Sequence, residues 1–159
     1  MIGWTLQQWQ AAYRSGDLTP VLAMKQLATH LHDSERALWI HLLDEASLVA
    51  RAEQLTDPSL PLYGVPFVIK DNIDVAGLPT SAACPAFTYN AEHTAPAVQR
   101  LLDAGAILVG KTNLDQFATG LVGTRSPYGQ PGNPFNPAYI TGGSSSGSAA
   151  VVALGLVPF

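Results

Sequence analysis

Tyr139-Ile-Thr-Gly-Gly-Ser-Ser-Ser-Gly-Ser-Ala-Ala150 is a glycine–serine turn that runs straight into an apolar segment over 151–159. Ser144, Ser145, Ser146 and Ser148 are set among Gly142, Gly143 and Gly147. Glycine opens backbone conformations denied to other residues, and serines at the mouth of a helix act as caps or as reactive hydroxyls. A flexible linker does not lead into so apolar a continuation, so a helix is expected over 146–156. A phosphate cradle is the rival functional reading. It lacks the Gly-Lys-Ser/Thr ending, and no basic residue follows Arg125.

Far upstream, Val65-Pro-Phe-Val-Ile-Lys-Asp-Asn72 is a short apolar run closed by a single lysine, which predicts a strand over 66–70 ending at Lys70. A lysine in that place ordinarily snorkels to solvent. Desolvated, it gives up its charge more easily, and the neutral amine can then draw a proton from a hydroxyl. Asp71 and Asn72 either orient such an amine or end the strand as turn residues.

Around these two stretches the pattern alternates. Thr5 can cap a helix carrying Leu6, Trp9 and Tyr13 and ending at Gly16, and Thr19-Pro20 opens a second helix with Val21, Met24, Leu27, Ala28 and Leu31 along one side. A short strand is expected over 37–43, and a third helix, capped by Asp44, over 45–55. These residues suggest an N-terminal helical lobe over 1–61, closed by a proline-rich link, ahead of a sheet domain over 62–159. Within the latter, helices are expected over 94–104 and 113–120 and a buried strand over 106–110. Short strands alternating with helices argue for an α/β sheet.

The composition is that of a folded domain: 159 residues, 47% hydrophobic, with 13% charged against a usual quarter or so. So few charges imply extensive burial, or a surface covered by more protein. A net charge of −4 and no Lys/Arg cluster disfavour nucleic acid. There is no run of about 18 apolar residues to span a membrane. The start of the chain lacks signal-peptide character, and the lone Cys84 fits a reducing, cytoplasmic setting as a buried packing residue. His30, His32, His41 and His93 show no ligand spacing, so neither a metal nor any other cofactor is expected. The scattered carboxylates give no paired-acid pattern.

Three blocks, Gly64-Val-Pro-Phe-Val-Ile-Lys-Asp-Asn-Ile-Asp74, Ala104-Gly-Ala-Ile-Leu-Val-Gly-Lys-Thr-Asn-Leu-Asp115 and Thr141-Gly-Gly-Ser-Ser-Ser-Gly-Ser-Ala-Ala150, together resemble the amidase signature family. The resemblance implies an α/β/α sandwich around a mixed sheet, here incomplete and preceded by the helical lobe. It also implies a serine–cis-serine–lysine triad, in which Lys70 matches the lysine and Ser144 the bridging serine that follows a cis peptide. Ser145 would then help hold the lysine by hydrogen bonding. The family's nucleophile and oxyanion hole are expected about two dozen residues beyond Ser144, past Phe159. The chain is accordingly expected to be a truncated, inactive portion of the enzyme.

More narrowly, Asp115-Gln-Phe-Ala-Thr-Gly-Leu-Val-Gly-Thr-Arg-Ser-Pro-Tyr-Gly129, the triple serine and Ala83-Cys-Pro-Ala-Phe87 resemble the allophanate-hydrolysing branch of the family, which serves urea degradation. That branch implies a small amide substrate, with Thr124, Arg125 and Ser126 as candidate lining or supporting residues and a structural ion pair as the competing role for Arg125. It further implies association with the rest of the amidase, with a urea carboxylase, or with a second copy. The alternatives are the glutamine-hydrolysing subunit of a tRNA amidotransferase, and a non-catalytic fragment or interaction module.

Overall fold

The computed structural model describes residues 1–159. Its first half is built from well-capped helices. Helix α1 (Leu6–Ser15) starts on a reciprocal capping box between Thr5 and Gln8 and ends at Gly16, whose φ of 79° is the left-handed conformation that favours glycine. Helix α2 (Pro20–His32) has Pro20 in its first turn, and Thr19 Oγ1 accepts from the Leu22 amide. A 3-10 turn then leads into β1 (Trp39–Leu42). Asp44 caps α3 (Glu45–Glu53) by accepting from the Ser47 amide at 2.8 Å.

Two strands carry the centre of the molecule. Strand β2 (Pro66–Lys70) has the predicted bounds, and a small hairpin, β3 (Pro79–Thr80) with β4 (Tyr89–Asn90), follows it. Helix α4 (Pro96–Asp103) crosses to β5 (Ile107–Thr112). The sheet order is β1-β5-β2, with β2 parallel and β1 antiparallel to the central β5. The sheet is therefore mixed, as expected. Helix α5 (Ser146–Ala153) begins in the serine turn.

Alternation along the strands divides the core. Phe67, Ile69 and Leu108 face one side with Val98 of α4, whereas Val68, Ile107 and Val109 face the other with Trp9, Met24, Leu27, Leu48 and Val151 from α1, α2, α3 and α5. Helices thus cover both faces of the sheet, giving the α/β/α layering. Residues 1–61 contribute β1 to the sheet and most of the helical side of the larger cluster. No helix is long and apolar enough to cross a membrane.

Three local expectations need correcting. Strand β5 runs two residues beyond Gly110, because the polar Lys111 and Thr112 are fully buried. The helix expected over 113–120 is absent: the chain is extended through Asp115 and then makes a 3-10 turn over Gln116–Ala118, with Phe117 and Ala118 at φ 52° and 57°. The segment that follows wraps around the Asp115 carboxylate, to which its backbone amides donate. Cys84 is only half-buried.

Candidate active site

Lys70 leaves the C-terminal end of β2 as the last residue of an otherwise buried strand. The turn ahead of α5 carries Ser144 into its path. Lys70 Nζ and Ser144 Oγ are 2.6 Å apart, across 74 residues of sequence, and the Gly143–Ser144 peptide is cis. Both side chains are half-buried, so they are shielded by protein yet open on one side. Burial lowers the Lys70 amine below its ordinary value, opposed by the negative charge of Asp115. A lysine so placed donates to Ser144 while charged and accepts the serine proton once neutral.

The residue following Lys70 does not orient it. Asp71 turns into the interior, where Oδ2 accepts from the Ser81 amide at 2.9 Å and from the Ser81 hydroxyl at 2.6 Å. Its Oδ1 has Lys111 Nζ at 3.0 Å as its polar neighbour. Lys111 completes its coordination with Pro79 O and Thr80 Oγ1, both at 2.6 Å. The ion pair is sealed, with 0% of the lysine side chain and 1% of the aspartate exposed.

Asp115, which follows β5, collects three backbone amides: Val122 and Gly123 donate to Oδ2 at 3.1 and 3.0 Å, and Arg125 donates to Oδ1 at 2.9 Å. Burial raises this carboxyl, but those three bonds and the Arg125 charge outweigh it and hold it below the usual carboxylate range. The Asp115 amide donates to Ser144 O at 3.0 Å, and the Gly143 amide donates to Leu121 O at 3.0 Å. The loop over 121–125 and the serine turn are therefore joined around one carboxylate.

Of the other candidates, Ser145 is exposed and its hydroxyl makes no hydrogen bond; the hydrogen-bond partner of Lys70 Nζ is Ser144. Thr124 and Arg125 have exposed side chains, and Arg125 has no carboxylate partner within ion-pair distance, so a structural ion pair is not its role. Ser126 is a loop-ordering residue: its hydroxyl donates to Asn113 Oδ1 at 2.6 Å and accepts from the Tyr128 amide. Ser148 packs beneath the site. Thr112 gives its proton to Ile69 O, so Ser148 is the donor in the 2.6 Å contact between the two hydroxyls. No group of three or more His, Cys, Asp or Glu side chains is placed to hold a metal ion.

Sequence reasoning passed over Asp115 and Lys111 as functional neighbours. One signal was available for Asp115, the glycines around it. A Cβ at Gly120 would lie 2.5 Å from the Asp115 carboxylate, and one at Gly143 would overlap Oδ2 outright. For Lys111 there was none, since its partner stands 40 positions earlier in the chain.

The family model described as Amidase matches residues 21–159. A urea amidolyase of Saccharomyces cerevisiae is 48% identical over 166 residues, which cover 99% of this chain and 9% of that protein. A glutamyl-tRNA(Gln) amidotransferase subunit from Akkermansia muciniphila is 42% identical over 151 residues, covering 94% of this chain and 32% of the relative. Among solved structures, Kluyveromyces lactis allophanate hydrolase superposes with a TM-score of 0.87 at 46% identity, covering 98% of this chain and 26% of the other. The chain thus spans a third or less of the length of these relatives.

Proposed function

The chain belongs to the amidase family, and from that premise we propose that it supplies the proton-relay half of an enzyme hydrolysing a small amide of the allophanate type. The observation that carries the reading is the 2.6 Å contact between Lys70 Nζ and Ser144 Oγ. Neutral Lys70 accepts the Ser144 proton, and Ser144 takes its own replacement from a nucleophilic hydroxyl, which attacks the amide carbonyl. The carbon–nitrogen bond breaks, ammonia leaves with the relayed proton, and water cleaves the resulting acyl ester. The attacking hydroxyl and the oxyanion donors belong, in the family pattern, to polypeptide following Phe159; in this chain the Ser144 hydroxyl is hydrogen-bonded to Lys70 and to no third hydroxyl.

Allophanate is preferred over a neutral amide for a second reason. It is an anion, and Arg125, carried on the loop that wraps Asp115, has an exposed guanidinium in no ion pair. Two 48%-identical urea amidolyases and the allophanate hydrolase fold match support the same choice.

The test is ammonia release from allophanate, with glutamine as the competing substrate, by the full-length protein that carries this sequence. Lys70→Ala and Ser144→Ala should each lower kcat by about 100- to 10,000-fold, the usual contribution of a positioned acid–base group. Arg125→Ala should act on KM, raising it by about tenfold or more as one charge-assisted hydrogen bond is lost. Full turnover in Lys70→Ala would sink the relay, and equal turnover of glutamine would sink the substrate assignment. The 159-residue chain alone should turn over neither.

A further inference from the structure

The relay alone does not account for what holds Ser144 against Lys70. Ser144 lies in a turn with glycine on one side and an exposed serine on the other, and nothing in its own sequence fixes its hydroxyl. The organising group lies elsewhere. Resting on the proposed relay, we infer that Asp115 is its positioning residue: by gathering the Val122, Gly123 and Arg125 amides and filling the space beside Gly143, its carboxylate clamps the serine turn so that the Ser144 hydroxyl meets Lys70.

Four observations converge on this. The carboxylate is fully buried and spends both oxygens on backbone amides of one loop. That loop is bonded to the serine turn through Gly143 N and Leu121 O, while the Asp115 amide holds Ser144 O directly. Any side chain at Gly143 would collide with Asp115 Oδ2, so the carboxylate and the turn are in closest contact. From the other flank, a Cβ at Gly123 would overlap Gly142 O and fall 2.8 Å from Ser146 Cβ, so loop and turn interlock.

The clamp is charged, and this separates it from a neutral brace. The Asp115 carboxylate is the negative charge that acts on the Lys70 amine, favouring its ammonium form. The other nearby acid, Asp71, is tied to Lys111, and the nearby Arg125 guanidinium points to solvent. Asp115 therefore restrains the lysine from losing its proton too early, while it holds the acceptor in place. A residue that merely packed would do the second and not the first.

The variant Asp115→Asn in the full-length protein separates these effects. With folding checked by circular dichroism, kcat should fall on the order of a hundredfold with KM nearly unchanged, as expected when a reacting group is displaced by about 1 Å. The Lys70 titration, followed by carbon NMR at its Cε and independent of turnover, should move to lower pH. Gly123→Ala keeps the charge and pries the loop, so kcat should fall while the Lys70 titration stays. In the unaltered protein the Val122, Gly123 and Arg125 amides should resist hydrogen exchange although their loop lies at the surface. Unchanged kcat or an unmoved titration in folded Asp115→Asn, an equal titration shift in Gly123→Ala, or free exchange of the three amides would overturn the inference. Failure of the relay itself reads differently, as full turnover in Lys70→Ala.

Discussion

Lys70 and Lys111 stand on adjacent parallel strands, Ile69 pairing with Lys111 and Lys70 with Thr112, yet they answer to different partners. Lys111 is sealed from solvent against the Asp71 carboxylate, with Pro79 O and Thr80 Oγ1 completing its donors. Lys70 is half-buried, touches a hydroxyl, and has no contacting carboxylate. Burial lowers both amines, and Asp71 pulls Lys111 back up. Losing its proton would have opposite consequences in the two places. At Lys111 it would strand a buried anion; at Lys70 it leaves a neutral amine beside a serine. Proximity to the strand end does not make a base. What matters is whether the partner can tolerate the uncharged form.

The largest effect separating the two lysines is on stability. Lys111→Met should destabilise the fold by about 3–5 kcal/mol, because the Asp71 carboxylate is left buried without its counter-charge. Lys70→Met should change stability by less than about 1 kcal/mol, since its hydroxyl partner can reach water, while lowering turnover by about 100- to 10,000-fold. Denaturant melts of both variants read this directly. Equal destabilisation would erase the distinction.

The next effect is the pH dependence. The folded value of Lys70 lies below the ordinary 10.5, so between those two values the unfolded chain binds more protons than the folded one. The contribution of Lys70 to stability therefore grows as pH rises through that window and is complete above 10.5. Turnover by the base form would follow the folded value alone, its ascending limb centred at the lower edge of that window and so below the ordinary lysine value. Both dependences should vanish from the stability and kinetic profiles of Lys70→Met. If the limb persists in a residually active variant, it belongs to another group.

How far the sequence announced this contrast depends on where each partner sits. The bounds of β2 were legible because an apolar run, a lysine and a turn follow one another in a few residues. The caps of α1, α2 and α3 were legible for the same reason: each signal lies within one helical turn of what it caps. Lys111 and Thr112 misled, since polar residues after Gly110 read as a strand end when the groups that satisfy them, Asp71 and Ile69 O, come from β2 and its turn. The stretch 113–120 carried a helix-like pattern, but the Asp115 carboxylate bends the following chain around itself to take three amides. The hairpin of β3 and β4 was invisible because each strand is two residues long. In the candidate site, motif resemblance named Lys70 and Ser144, which the fold brings to 2.6 Å, while the part proposed for Asp115 depends on folded geometry, to which the sequence pointed only through the glycines around it.

The smallest effect asks whether the floor of the site, rather than its walls, sets the behaviour of Lys70. Thr112 lies opposite Lys70 in the ladder, and its hydroxyl donates to Ile69 O while accepting from Ser148. Thr112→Val keeps the shape and removes those bonds, at a cost of about 1 kcal/mol. The Lys70 titration should not move, because Thr112 brings no charge to it and the Asp115 carboxylate remains. A measurable shift would mean that the hydroxyl layer beneath the strands tunes the amine. Lys111, held by Asp71, Pro79 O and Thr80 Oγ1 on the opposite face of β5, should not shift with Lys70, so the contrast between the two lysines would then extend to the layers on which they rest.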